Sequence, residues 1–273
     1  SHASLVGFPY VLPAGIGLVT EEELRSLAKL AEFERDVVYV LGGGKLGDVL
    51  PFIKRVIKSK SCIILTAGRV ANAFLEAKEG IRCGIEPEYV EIASEILKMS
   101  DDKIKIPKDV AIERDGEREE IAVSELKERS GGEHAVGAAA SSVSAVSTAS
   151  SALSSSSSSA SSASLRIYDI GSETCDEYIS LLSAADAIFV KGPAGVYENE
   201  AFAEGTLRIF NAVARSNAFT VLGGGDTTTA LKSLGISERA FSYVSLAGGA
   251  LLKFLLGEEL PALEVLRKSR RMN

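Results

Sequence analysis

The sequence has little of what metal centres, disulfide scaffolds, nucleic-acid surfaces and membrane spans require. It holds three cysteines (Cys62, Cys83, Cys175) and two histidines (His2, His134), with no CxxC pair. That set argues against a structural zinc site and against a disulfide framework. It fits a reduced setting, so a cytoplasmic location is expected. Positive charge is scarce as well. Thirty Lys and Arg face 37 Asp and Glu, a net charge of −7, which argues against general nucleic-acid binding and makes any anion site a local one. No apolar run reaches the ~18 residues that a membrane span needs. The charged-then-apolar layout of a signal peptide is missing. An initiator methionine is missing too: the chain opens SHASLVGFPYVLPAG, which reads as the middle of a longer sequence.

What is present is ordinary globular material. The 273 residues are 46% hydrophobic and 25% charged, enough for one large domain or two small ones. Thr20 and Glu23 have capping-box spacing ahead of a helical pattern through Leu24, Leu27 and Leu30. Short apolar runs read as buried strands at 37–41, 62–65, 167–170, 187–190, 219–222 and 243–246. Further strand-like runs at 104–113 and 119–123 flank the turn Asp115-Gly116. Helical patterns at 50–57, 70–78, 89–99 and 201–214, and after Gly225 and Gly248, alternate with the strands. Continuous apolar strands between helices predict an α/β fold: a doubly wound, mostly parallel sheet with helices on both faces. From Gly131 to Ser164 the chain is almost entirely Ser, Ala and Gly, which cannot bury enough apolar surface to offset ordering. It reads as a flexible insert or as a stretch of uncertain sequence.

Nearly every predicted strand ends in glycine, and ligands of such sheets bind at the carboxyl ends of the strands. Gly42, Gly44 and Gly47 match G-x-G-x-x-G after a strand. The acidic residue that would hold a dinucleotide ribose is not at the end of the next strand, which closes Thr66-Ala67-Gly68-Arg69. A P-loop fails because Leu46 follows Lys45. Two strand ends then stand out. Gly-Gly-Gly-Lys45 offers a mobile positive charge for phosphate oxygens. Gly223-Gly224-Gly225-Asp226-Thr227 offers bare amides at a helix start and a carboxylate suited to magnesium. Positioning and charge neutralisation are what phosphoryl transfer needs. The plainer alternatives are a solvated Lys45 and an Asp226 that only caps a helix.

The third strand end carries a more specific signal. GPAGVYENEAFAEGT, from Gly192, resembles the GP-x-G-V-[FY]-E…FA-x-GT signature of the phosphoglycerate kinase family. GGGDT resembles that family's phosphate loop, LGGGK its LGGAK lysine loop, DIGSET its D-I-G-P-x-T, and SLAGGALLKFLLGEELPALEVL its C-terminal segment. SHASLVGFP resembles the passage that follows a substrate-binding His-Arg, and TAGRVANAFLEAKEG has the flavour of archaeal members. The matches run in order and cover almost the whole chain outside the Ser/Ala tract.

The resemblance implies a Rossmann-like nucleotide domain and the reaction ATP + 3-phosphoglycerate = ADP + 1,3-bisphosphoglycerate, in glycolysis or gluconeogenesis, with Mg²⁺. It implies that residues 1–35 are the end of a first domain plus an interdomain helix. Residues 36–260 would be the nucleotide-binding domain and 261–273 a tail. Most of the domain that binds 3-phosphoglycerate would be missing, leaving a half that binds ATP or ADP without efficient catalysis. Lys45 would contact the phosphates, and Asp226 would ligate the metal. Gly224, Gly225 and Thr227 would cradle phosphates, and Gly248 and Gly249 would present amides to the transferring group. Glu198 would take the ribose. Ala67, Gly68, Gly171, Pro193, Gly195 and Val196 would line the adenine pocket. The chain departs from the family pattern at Val49, where many members have a second lysine, and at Lys191, usually asparagine. It departs again at Leu246 and Ala247, and Asp169-Ile170-Gly171 lacks the usual proline. The competing readings are a catalytically silent nucleotide-binding or interaction module and, more distantly, a nicotinamide enzyme.

Overall fold

Val37–Leu41 (β1) and Ala187–Lys191 (β7) are buried at every position. Strands of that kind need cover on both faces, and the chain supplies it. The structure is a computed structural model that describes residues 3–59, 61–136 and 164–269. The remaining elements are α1 (Ala3–Val6), α2 (Leu18–Glu32), α3 (Leu46–Ser59), β2 (Cys62–Thr66), α4 (Gly68–Glu79), α5 (Pro87–Lys98), β3 (Ile104–Lys105), β4 (Asp109–Arg114), β5 (Glu117–Ala122), α6 (Val123–Val136), β6 (Ile167–Ile170), α7 (Ser172–Ser183), α8 (Glu204–Arg215), β8 (Phe219–Gly223), α9 (Gly225–Ser233), β9 (Tyr243–Ser245), α10 (Gly249–Leu255) and α11 (Pro261–Ser269). Of the Ser/Ala tract, α6 reaches in as far as Val136, and 137–163 lie outside the described residues, as does His2. No helix among the described residues is long and apolar enough to cross a membrane.

Six strands form one parallel sheet in the order β3-β2-β1-β7-β8-β9. The α/β expectation, doubly wound with helices on both faces, holds. Alternate residues of the central strands enter two separate cores. Tyr39, Leu41, Phe189 and Val221 pack with α2, α3, α5 and α10 on one face. Val38, Val40, Val190 and Leu222 pack with α7, α8 and α9 on the other. From β1 the chain winds outward through β2 to β3; from β7 it winds the opposite way through β8 to β9. The reversal between β1 and β7 is a topological switch point, where a parallel sheet opens a crevice at its carboxyl edge.

Several local expectations are corrected. The run 104–113 is two strands in two sheets: β3 extends the main sheet, whereas β4 pairs antiparallel with β5 and β6. Ile167–Ile170 therefore belongs to a small second sheet, so Gly171 does not share the edge of the other glycines. Thr20 is not a cap. Helix α2 starts at Leu18 from Gly17, with no side-chain cap. Glu23 instead accepts hydrogen bonds from the Tyr243 hydroxyl (3.0 Å), the Leu246 amide (3.4 Å) and the Ser245 hydroxyl, pinning α2 to the end of β9. Helix α3 begins at Leu46 and carries Pro51 inside it, at the cost of one backbone bond. The 201–214 pattern splits into a 3-10 turn, Glu200–Phe202, and α8. The expected tail folds as α11 up to Ser269.

The small sheet is tied to the main one by buried polar groups. Asp109 on β4 caps α7 from a distance, accepting from the amides of Glu173 (3.0 Å) and Thr174 (2.8 Å). Asp169 on β6 accepts from the amides of Gly205 (2.7 Å) and Ile170 (2.9 Å) and from Arg118 (3.1 Å). It is 2% exposed, and burial pushes its pKa up to about 6 against the pull of the Gly205 amide and Arg118. A raised carboxyl pKa favours the neutral form in the folded state, so its contribution to stability is present below about 3.8 and lost as pH rises through about 6. Relative to Asp169→Asn, the wild type loses unfolding free energy across that window and runs parallel above it. Urea titrations at several pH values check this.

A second prediction concerns Gly192. Its φ is +84°, and a Cβ there would lie 2.5 Å from the carbonyl carbon of Gly42. Gly80 shares the positive φ, +73°, but faces open space. Gly80→Ala is expected to cost about 1–2 kcal/mol for the left-handed backbone alone. Gly192→Ala should cost about 3 kcal/mol or more, because strain and a backbone clash add. Equal losses in denaturant unfolding would contradict the close approach of the two loops.

Candidate functional site

Five strand ends meet at the carboxyl edge, and the first three are stitched together by main chain alone. Gly42 N donates to Lys191 O (2.8 Å), Gly43 N to Pro193 O (2.9 Å), Gly68 N to Ala194 O (2.9 Å) and Ala67 N to Leu41 O (3.0 Å). Side chains then anchor the loop after β7. The Thr227 hydroxyl accepts from Gly192 N (2.8 Å) and donates to Gly223 O (2.7 Å). The Thr206 hydroxyl accepts from Ala194 N (3.0 Å) and Gly195 N (3.1 Å). Val196 N donates to Tyr168 O on β6 (2.7 Å). Nearly every polar group of this loop is used inside the protein, so its shape is set before any ligand arrives.

Beside the loop lies a cleft of about 260 Å³. Gly43, Gly44, Gly68 and Arg69 form one wall; Pro193, Gly195, Val196, Tyr197 and Glu198 form another; Ile167 and Tyr168 of the small sheet add a third. Asp226 lines the cleft as well. Asn72 also faces the cleft; it is 7% exposed and its Oδ1 has no hydrogen-bond partner. The walls are largely apolar with a few polar groups, the usual build of a small-molecule site.

Charge gathers where the cleft meets the edge. Lys45 Nζ lies 3.4 Å from Asp226 Oδ2, with the two side chains 60% and 53% exposed. Such a surface pair adds little stability, so both groups are available to a ligand. Asp226 sits in the first turn of α9, and among the described residues the amides of Gly225 and Asp226 donate to no protein acceptor. A helix start with open amides favours an anion. Gly248 and Gly249, after β9, are exposed, and a Cβ on Gly249 would stand 3.8 Å from Asp48 Oδ2. The described residues contain no cluster of three metal-ligating side chains. A lone exposed carboxylate beside open amides is nevertheless what magnesium uses when water and phosphate complete its shell.

The structure thus brings together Lys45, Asp226, Gly224, Gly225 and the cleft residues Gly68, Pro193, Gly195, Val196 and Glu198. Three expected residues stand elsewhere. Ala67 is fully buried, its amide spent on Leu41. Gly171 lies under the Asp109 carboxylate, where a Cβ would meet Asp109 Cγ at 2.2 Å, so its constraint is the α7 cap. Thr227 is fully buried too; its hydroxyl is bonded to Gly192 N and Gly223 O and supports the loop after β7. Arg69, Asn72, Tyr168 and Tyr197 were not expected in the cleft. Gly68, Arg69 and Asn72 follow a strand end at i, i+1 and i+4, a spacing that puts them on one side of a helix start. Tyr168 gave no such signal, because it arrives from another sheet.

The comparisons agree with this fold. Residues 1–258 match the family model described as phosphoglycerate kinase. A phosphoglycerate kinase of Methanothermus fervidus is 35% identical over 99% of this chain and 60% of its own. That of Halorubrum lacusprofundi is 36% identical over 97% of this chain and 60% of its own. The crystal structure of phosphoglycerate kinase from Pyrococcus horikoshii superposes with a TM-score of 0.77 at 32% identity, covering 99% of this chain and 61% of that one. The Coxiella burnetii enzyme gives 0.71 at 28%, covering 92% and 58%. The chain spans about 60% of the length of the relatives it matches. On its sheet order, its strand-end loops and a family match across nearly its whole length, the chain belongs to the phosphoglycerate kinase family.

Proposed function

We propose that this chain is the nucleotide-binding part of a phosphoglycerate kinase, working in the cytoplasm in glycolysis or gluconeogenesis. The observation that carries the proposal is the meeting of Lys45, Asp226 and the open amides of α9 at the mouth of a preformed cleft. The base lies in the cleft between the Gly68–Arg69 turn and the Pro193–Val196 loop. Glu198 takes the ribose hydroxyls. The phosphates leave the cleft past Asp226, toward the amides of Gly224 and Gly225. There Lys45 would exchange its contact with Asp226 for the phosphate oxygens, and Asp226 would be the carboxylate that holds a metal ion. Bound Mg²⁺ would neutralise charge on the phosphates. Gly248 and Gly249, across the edge, offer amides to the phosphoryl group in transit.

The acceptor, 3-phosphoglycerate, would be held by a part of the family's chain outside these 273 residues. In-line transfer needs donor and acceptor fixed opposite each other, so this chain alone should bind nucleotide and turn over poorly.

Calorimetric titration with ADP, with and without Mg²⁺, tests the reading. Binding should strengthen with Mg²⁺, and Asp226→Ala should weaken Mg·ADP by about tenfold or more. The same substitution should change unfolding free energy by no more than about 0.5 kcal/mol, because its ion pair is exposed. A large stability loss with unchanged binding would make Asp226 a helix cap and overturn the assignment.

A further inference from the structure

Among the described residues, Lys191 is the charged group at this edge that is both buried and short of a counterion. It closes β7, at the switch point, and is 6% exposed. Among the described residues no carboxylate lies within 4.0 Å of it, whereas Lys45 holds Asp226. Burial lowers its pKa, Lys45 lowers it further, and Asp48 and Asp226 pull the other way without closing on it. A buried ammonium without a partner is costly. Its position suggests what offsets that cost. A Cβ on Gly224 would be 3.5 Å from Lys191 Nζ, so the ammonium lies against the residue that opens α9, beside the amides of Gly225 and Asp226. Lys45 comes from the turn just ahead of α3, and Val49 on that helix is 1% exposed and faces the core.

We infer that Lys191 is a phosphate-binding residue, its ammonium reaching the polyphosphate of a nucleoside di- or triphosphate from below while Lys45 reaches it from above. This rests on the nucleotide reading of the cleft and adds to it a second cation, delivered from β7. The ligand class is an anion with at least two phosphates, since a single exposed lysine with open amides would already serve one. The missing counterion is the ligand itself.

The test compares wild type with Lys191→Met, which keeps length and apolar volume and removes the charge, and with Lys191→Gln as a second variant should the first fold poorly. Each is titrated with Mg·ADP and with adenosine, and melted without ligand. Both variants should bind Mg·ADP about tenfold more weakly and adenosine within about twofold, while Lys191→Met melts at or above the wild-type temperature. Unchanged Mg·ADP affinity would overturn the inference and leave the nucleotide reading intact. Equal loss of ADP and adenosine would overturn it as well, because it would mark Lys191 as a structural residue. Failure of the wild type to bind Mg·ADP would remove the nucleotide reading and the inference together.

Discussion

The contact on which this site depends has no side chains in it. The turn after β7 runs so close to the turn after β1 that a Cβ on Gly42 would lie 2.2 Å from Pro193 O. That approach lets Gly42 and Gly43 donate to Lys191 and Pro193, and lets Gly68 donate to Ala194. Three strand ends become one surface, and the crevice at the switch point acquires a floor. Several polar groups of the edge stand on that floor: Lys45 follows the first turn, Lys191 precedes the second, and Arg69 and Asn72 follow the third. A fold that held these turns apart by side chains would need different partners for the same amides, and those amides would then compete for a ligand.

Buried hydroxyls and carboxylates hold the floor in place, so residues that look like ligand groups in sequence serve as supports. Thr227 is the clearest case. It follows Asp226 in a run that offers hydroxyls to a phosphate, yet its Oγ1 joins Gly192 to Gly223 inside the protein. Asp169 and Asp109 do similar work between the two sheets, at 2% and 7% exposure. Lys45 and Asp226, by contrast, lie near the surface and among the described residues pair with each other. Apart from Lys191 and the Asn72 Oδ1, the buried polar groups around the cleft are satisfied within the protein, whereas Lys45 and Asp226 are exposed.

The main sheet was legible because its strands are continuous apolar runs closed by glycine, and a parallel sheet buries such runs on both faces. The small sheet was not. β3 and β4 lie within one strand-like run, and only the three-dimensional pairing shows that it divides at 106–108. The same blind spot applies to Gly171: its place after a strand suggests a pocket-lining loop, but its neighbour in space is Asp109, 62 residues away. Likewise Glu23 has capping-box spacing from Thr20, but tertiary hydrogen bonds with β9 outweigh the local motif. Motifs that work through backbone geometry at a strand end could be read directly. Those that rely on partners far along the chain could not.

The central claim is that the cleft is built before the nucleotide binds. Amide hydrogen exchange on the ligand-free chain tests it most directly, at Gly42, Gly43, Gly68, Gly192, Ala194 and Val196. The account predicts protection comparable to the cores of β1 and β7, little changed by Mg·ADP, because each of these amides is already bonded within the protein. Exchange at the rate of an open loop, with protection gained only on adding Mg·ADP, would mean that the ligand assembles the site.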